Sequence, residues 1–211
     1  MKKQIAILAQ LLFTTILSVS TFNNTQAQTT VKIGTQIWTT KNLDVSVYRN
    51  GDTIPEVKDR IEWGKLTTGA WCYYGNRTEI GSSNGKFYNW YAVNDPRGLA
   101  PEGYHIPSQD EWNIVTEFLG GKVAASKKMK TATGWDDNGN GDNSSGFSAL
   151  PIGLRVYNGM FDFIGGWGCF WSSTDDAAIG PMFYELNFSN GIVIHLPHNK
   201  RQGFSVRCIK D

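Results

Sequence analysis

Charge is scarce in this sequence and nearly balanced: Asp, Glu, Lys and Arg make up 18% of its 211 residues, and the formal net charge is +1. With no basic run interleaved with aromatics, the chain makes no electrostatic bid for nucleic acid or an anionic membrane surface. Histidine and cysteine are sparse too, at three residues each, and no Cys-x-x-Cys occurs. His195-Leu196-Pro197-His198 offers two imidazoles with only His105 besides, so the end of a surface hairpin is a better reading of that stretch than a zinc site. His-Glu-x-x-His and phosphate-loop motifs are missing, and with them the metalloprotease and nucleotide chemistry they carry. Also missing are the Glu-Pro-Asn, Gln-Pro-Asp and Trp-Asn-Asp triplets with which calcium-dependent lectins hold metal and sugar. Neighbouring acids such as Asp175 and Asp176 do not by adjacency set an acid and a base apart in pKa, so a glycosidase is not indicated.

A long apolar run is lacking as well. Met1-Lys2-Lys3 leads into an apolar stretch from Ile5 to Val19 that is interrupted by Gln10, Thr14, Thr15 and Ser18. It falls short of the roughly 20 residues a membrane-spanning helix needs. With the small residues around Thr25-Gln26-Ala27, it reads as a signal peptide over residues 1–27, cut before Gln28. No cysteine near the cut offers a lipid anchor. The expected product is one domain, residues 28–211, with the charge moved from +1 to −1 by the loss of Lys2 and Lys3. It would be secreted or periplasmic, without a transmembrane anchor.

Aromatics and glycine are plentiful: Trp 8, Tyr 8, Phe 11 and Gly 23. That balance suits a loop-rich fold of many short strands. Val31 to Trp38 reads as strand, tight turn and strand, and Ala70 to Tyr74 as a short aromatic strand. Phe87, Trp90 and Tyr91 stand at helical spacing and predict a short helix within Gly85–Val93. Ser108 followed by Glu111 forms a capping box that opens a second helix, ended by Gly120-Gly121, with Trp112, Val115, Phe118 and Leu119 as its apolar face. A third short helix is predicted over Val123–Met129. Strands are expected over Phe147–Leu150, Gly153–Val156, Cys169–Ser173 and Met182–Phe188, the last paired with Ile192–Leu196 through Ser189-Asn190-Gly191. The last is expected over Phe204–Ile209. Helices in the first half and strands in the second predict an α+β fold with two to three short helices and short antiparallel strands.

Eight blocks carry a resemblance. They are Ile33–Trp38 with Lys41-Asn42-Leu43, Gly69–Tyr74, Gly85–Val93, Gly103–Ser108, Glu111-Trp112, Gly146–Pro151, Phe170–Ser173 and Gly203–Cys208. In order and spacing they resemble the Fibrobacter succinogenes major paralogous domain family over nearly all of residues 31–211. The Gly103–Trp112 block and the closing Val206-Arg207-Cys208 are also similar to formylglycine-generating (sulfatase-modifying) enzymes. That second resemblance implies a C-type-lectin-like architecture, with N- and C-terminal strands pairing, two helices and a long functional loop region. It does not imply their oxidase chemistry, because the C-terminal part holds Cys208 without a second, nearby cysteine.

Export permits disulfides. Cys72 and Cys208 stand in family-matching blocks, so a Cys72–Cys208 bridge is expected, with Cys169 buried and free. Asp136, Asn138, Asn140 and Asp142 alternate through a glycine-punctuated stretch like the start of an EF-hand loop, but Phe147 stands where the bidentate Glu should be. A plain turn and a Ca2+ loop both remain open; no other cofactor is indicated. Trp135, Tyr157 and Trp167 lie in turn-rich contexts where an exposed ring could stack on a sugar. The functional expectation is an exported, non-catalytic module that binds a glycan or a cell-surface protein through the stretch from Thr133 to Gly168. An extracytoplasmic enzyme of unknown reaction is the alternative.

Overall fold

The computed structural model describes residues 28–189 and 194–211; for residues 80, 82 and 194–197 only the backbone is described. The expected leader lies outside the described residues, as do Asn190 and Gly191 of the predicted turn and the side chain of His195. No described helix is long and apolar enough to cross a membrane.

The fold is α+β. Strands β1 (Thr30–Ile33) and β2 (Gln36–Thr39) form the predicted N-terminal hairpin, turned at Gly34, whose φ of 63° suits a residue without Cβ. Then come α1 (Arg60–Trp63), β3 (Trp71–Cys72), a 3-10 turn at Tyr74–Asn76, α2 (Thr78–Asn84), β4 (Phe87–Tyr88), α3 (Trp90–Val93), β5 (Tyr104–His105), α4 (Gln109–Phe118) and α5 (Lys122–Met129). The second half holds β6 (Ile152–Arg155), β7 (Phe161–Ile164), β8 (Trp167–Asp176), β9 (Gly180–Asn187), β10 (Ile194–Pro197) and β11 (Ile209–Lys210). Near the two ends of the domain, β11 pairs antiparallel with β2 through Ile209 and Trp38, and with β5 on its other side. A five-stranded sheet in the order β10-β9-β8-β6-β7 makes the second half. All its pairings are antiparallel except β6 with β8.

The predicted α4 carries its capping box: Ser108 Oγ accepts from the Glu111 amide, and Glu111 Oε2 accepts from the Ser108 amide at 2.8 Å. Its apolar face needs one correction. Trp112, Val115 and Leu119 are buried, whereas Phe118 is 63% exposed. A Cβ on Gly34 would stand 3.0 Å from the Phe118 ring, so that ring lies across the β1–β2 turn and not in the core.

Helices are more numerous than the two to three expected, because α1 and α2 form where no helix is predicted from the sequence. A four-residue helix such as α1 displays no period; it is set by the Asp59 side chain accepting from the Glu62 amide. The helix predicted over Gly85–Val93 divides in two: Phe87 and Tyr88 pair with β3, and only from Trp90 does the chain coil. Asn89 makes the division, its side-chain oxygen accepting from the amides of Ala92 and Ala70. The strand expected over Phe147–Leu150 reduces to one bridge between Ala149 and Lys130, since positive φ at Gly146 and Ser148 breaks the extended run.

The core consists of three aromatic-rich clusters. One gathers Trp71, Tyr88, Trp171, Phe183, Phe204 and Cys208; another gathers Trp38, Trp112, Phe147, Phe170 and Tyr184; a smaller one holds Trp63, Cys72, Phe87 and Ile152. β8 feeds two of them from opposite faces, which is why Cys169-Phe170-Trp171 reads as a continuous apolar run.

The expected Cys72–Cys208 bridge is not formed: Cys72, Cys169 and Cys208 are all free and buried. The small β3–β4 ribbon shows why. Cross-strand partners share a face, so Cys72 points with Phe87 into the smallest cluster, while Trp71 and Tyr88 point the other way, into the cluster that holds Cys208. The two sulfurs lie on opposite sides of the ribbon.

Candidate functional site

The sequence-predicted ligand rings separate. Trp135 is 5% exposed and offers no face: its Nε1 donates to Thr131 Oγ1 at 3.1 Å, the Lys130 ammonium sits 4.9 Å from its ring centre, and the lack of a side chain at Gly168 lets its edge approach β8. Tyr157 is 47% exposed at the tip of the β6–β7 hairpin. Trp167, half-buried, stacks on Phe163 with ring centres 3.9 Å apart and planes 7° from parallel. Phe163 itself is 40% exposed, and Ile164 and Met160 on the same hairpin are exposed too. Sequence reasoning missed Phe163. Its φ of 59°, rare for a bulky residue, breaks the alternation of β7 and turns the ring outward.

In the loop from Asp136 to Asp142, two side chains brace adjacent turns. Asn140 Oδ1 accepts from the Trp135 amide at 3.0 Å, and Asp142 Oδ1 accepts from the Ser144 amide at 2.9 Å. That backbone bond holds the Asp142 carboxyl below its ordinary pKa. Asn138 takes a left-handed turn conformation, and the Asp136 amide donates to Gly165 O. The glycines serve close packing: a Cβ on Gly139 would strike the Phe188 backbone, and one on Gly141 the Lys130 carbonyl. Among the described residues no group of three His, Cys, Asp or Glu side chains stands close enough to hold a metal ion.

The three thiols are held protonated by burial. Burial pushes the Cys72 and Cys208 thiols up to about 12, against the pull of Arg155 and Arg207 respectively. Burial, reinforced by nearby Glu185, pushes Cys169 well above its usual value. Such thiols stay protonated and inert. Gly81-Ser82-Ser83-Asn84-Gly85 has the spelling of a nucleophile elbow, yet it lies in and just after α2 and not at a strand-to-helix turn.

An open cleft of about 620 Å³ is lined by Arg49, Leu99, His105, Ile106, Glu111 and Ser173, among others. His105 spans it as a clasp, with Nε2 2.7 Å from Glu111 Oε1 and Nδ1 2.7 Å from Asp211 Oδ1. Partial burial pulls the His105 pKa down, but the bonds to Asp211 and Glu111 outweigh it and hold the pKa above 6.5. Glu111 also feels burial, which raises it, yet the Ser108 amide and His105 bring it below its ordinary 4.5. With both ring nitrogens bonded to carboxylates, His105 ties β5 and β11 to the first turn of α4 and is not free to accept a proton from a substrate.

This clasp predicts a pH dependence. A histidine raised by folding stabilises fully below its unfolded pKa, and that contribution fades as pH rises through the folded value. The depressed Glu111 does the reverse, losing its contribution as pH falls through its folded value. Urea midpoints are therefore expected to peak between the two and to decline as pH rises through the raised His105 pKa. His105→Gln should remove that decline; the same decline in His105→Gln would show that the clasp is not its source.

A second cavity, of about 260 Å³, opens beside α3, with Thr68, Gly69, Trp90, Tyr91, Asp95 and Arg97 in its wall. The sequence offered no signal for it, since its residues come from separate stretches.

The model of the Fibrobacter succinogenes major domain matches residues 31–210, from β1 through β11. The chain belongs to that family. Neither curated proteins nor solved structures give a match. The matched region of this Fibrobacter succinogenes major domain contains both cavities, His105 and Glu111 of the clasp, and the Phe163–Trp167 pair, while Asp211 follows it.

Proposed function

We propose that this protein is a non-catalytic binding module that works outside the cytoplasm and takes a glycan as its ligand. The observation that carries the reading is the Phe163–Trp167 pair: two rings stacked at 3.9 Å, with the outer one exposed on the edge strand β7 and Tyr157 on the same hairpin. A rigid aromatic platform offers a flat apolar face at low entropic cost, suited to the C–H face of a sugar ring. Asp162, exposed on β7, can hydrogen-bond hydroxyls at the rim. The occupied state of His105 and the three protonated thiols support binding over catalysis. A C-type-lectin-like arrangement belongs to the same proposal, supported by the pairing of β2 with β11 and by the two adjacent helices α4 and α5.

A glycan array on the protein, followed by titration calorimetry with the best glycan found, tests this. Phe163→Ala removes the outer ring and is expected to cost about 2 kcal/mol, roughly thirtyfold in Kd, with little change in melting temperature. Wild-type affinity in Phe163→Ala would move the site off the hairpin, and an array without hits would end the glycan reading of this surface.

A further inference from the structure

The corner between α4 and α5 carries apolar side chains that the glycan platform does not use. Ile114 and Phe118, four residues apart on one stripe of α4, are exposed, and so is Val123 in the first turn of α5. Apolar side chains gathered on an exposed face commonly mark a contact with another protein. Phe118 is held in place there, its ring lying across the Gly34 turn. The chain turns between the two helices at Gly120-Gly121, with φ of 100° and 86°. No heavy atom lies within 4 Å of where a Cβ on Gly121 would stand, so the middle of the corner is open backbone.

The charges at this corner oppose their own helices. Glu117 sits in the last turn of α4, next to Phe118, and Lys122 opens α5, next to Val123. A helix favours anions at its N-terminus and cations at its C-terminus, so each of these charges stands at the end its helix disfavours. Both are exposed, and neither enters an ion pair among the described residues. The Lys128 ammonium does not serve Glu117; it donates to the Leu119 carbonyl at 2.9 Å.

We infer that this corner is the interface of a symmetric dimer, its occupant a second copy of this chain. The corner is complementary to itself. An acid and an aromatic ring, Glu117 and Phe118, lie on one side of the glycine pair; a base and an aliphatic side chain, Lys122 and Val123, lie on the other. A two-fold axis at the glycines exchanges the two sides. Phe118 then packs on the partner's Val123, and Glu117 faces the partner's Lys122. Each contact occurs twice, as a self-complementary interface requires. The pairing offsets the charge that each helix end disfavours, and the side-chain-free backbone at the axis lets the two copies approach closely. The inference does not depend on the glycan reading.

Sedimentation equilibrium from micromolar to millimolar protein tests it. The weight-average mass should climb from that of one chain towards that of two, and Phe118→Gln or Val123→Gln should weaken association about tenfold or more. Glu117→Lys and Lys122→Glu each set like charges against one another across the axis and should weaken association as well. Each also gives its own helix the terminal charge that the dipole favours, so the melting temperature of the monomer should not fall. An equimolar mixture of Glu117→Lys and Lys122→Glu should then associate as a mixed dimer, because opposite charges again face each other at both pairs. A contact within one chain predicts no such rescue. The mass of one chain at every concentration, a dimer that persists in Phe118→Gln and Val123→Gln, or a mixture no more associated than its two components overturns the inference.

Discussion

Replacing Trp112 by alanine is expected to lower stability by about 3–5 kcal/mol, a large part of the roughly 5–15 kcal/mol that holds a domain folded. Trp112 is fully buried on α4 and stacks on Tyr184 with ring centres 4.2 Å apart, 4.6 Å from Trp38 and 5.9 Å from both Phe147 and Phe170. Those partners belong to β2, β8, β9 and the Phe147 segment, so the one indole joins α4 to both major sheets. Its removal leaves a cavity whose walls are anchored in separate elements and cannot collapse together. Trp112→Phe should cost much less, because the indole N–H has no hydrogen-bond partner among the described residues and most of the contact area stays. Urea unfolding of the two variants measures both. A loss below about 1 kcal/mol in Trp112→Ala would mean that the cluster relaxes around the gap.

Arg207→Met is the second large effect expected, at about 3 kcal/mol or more. Arg207 is buried, and its guanidinium donates to Asn42 Oδ1 at 2.6 Å, to the carbonyls of Thr39 and Phe147 at 2.8 and 2.7 Å, and to Ser148 O at 3.0 Å. Among the described residues its ion pairs include no carboxylate; three carbonyl groups and an amide surround the charge, with the Phe147 ring 4.6 Å away. Methionine fills a similar volume but leaves those four acceptors buried without donors, each costing about 1–3 kcal/mol before water or local movement offsets some of it. Arg207→Lys should recover only part, since one ammonium cannot reach acceptors spread over a planar fork. At roughly 2–4 °C per kcal/mol for a domain of this size, the methionine variant should melt about 6–12 °C lower. A shift of only a degree or two would show that water takes over the orphaned carbonyls.

Much of the local structure was legible in the residues. The Ser108–Glu111 box and the Gly34 turn each depend on groups only a few residues apart, so the pattern and the local geometry that realises it occupy the same short stretch. The candidate sites were less legible. Of the three rings proposed to face a ligand, Trp135 is core, because the approach of β8 at Gly168 covers it, and nothing near Trp135 in sequence reveals that approach. Phe163 was missed because no residue pattern marks Phe161–Ile164, and only its positive φ turns the ring outward. The His105 clasp joins β5, α4 and Asp211, and the cavity beside α3 joins the Thr68, Trp90 and Asp95 stretches, none of which shares a local pattern.

By itself, the sequence determined the α+β class, the family, the helix capped at Ser108 and the pairing of the N- and C-terminal strands, the last of these through the resemblance. Only the tertiary structure decided which aromatic rings meet water, how Arg207 is satisfied and why Cys72 and Cys208 stay apart. Strand alternation assigns a residue to one of two faces, but which cluster lies beyond each face depends on how β3–β4 seats between the other elements. Hydrogen bonds within one turn are fixed by backbone geometry that a few residues specify; the meeting of distant faces is fixed by close packing of the whole chain.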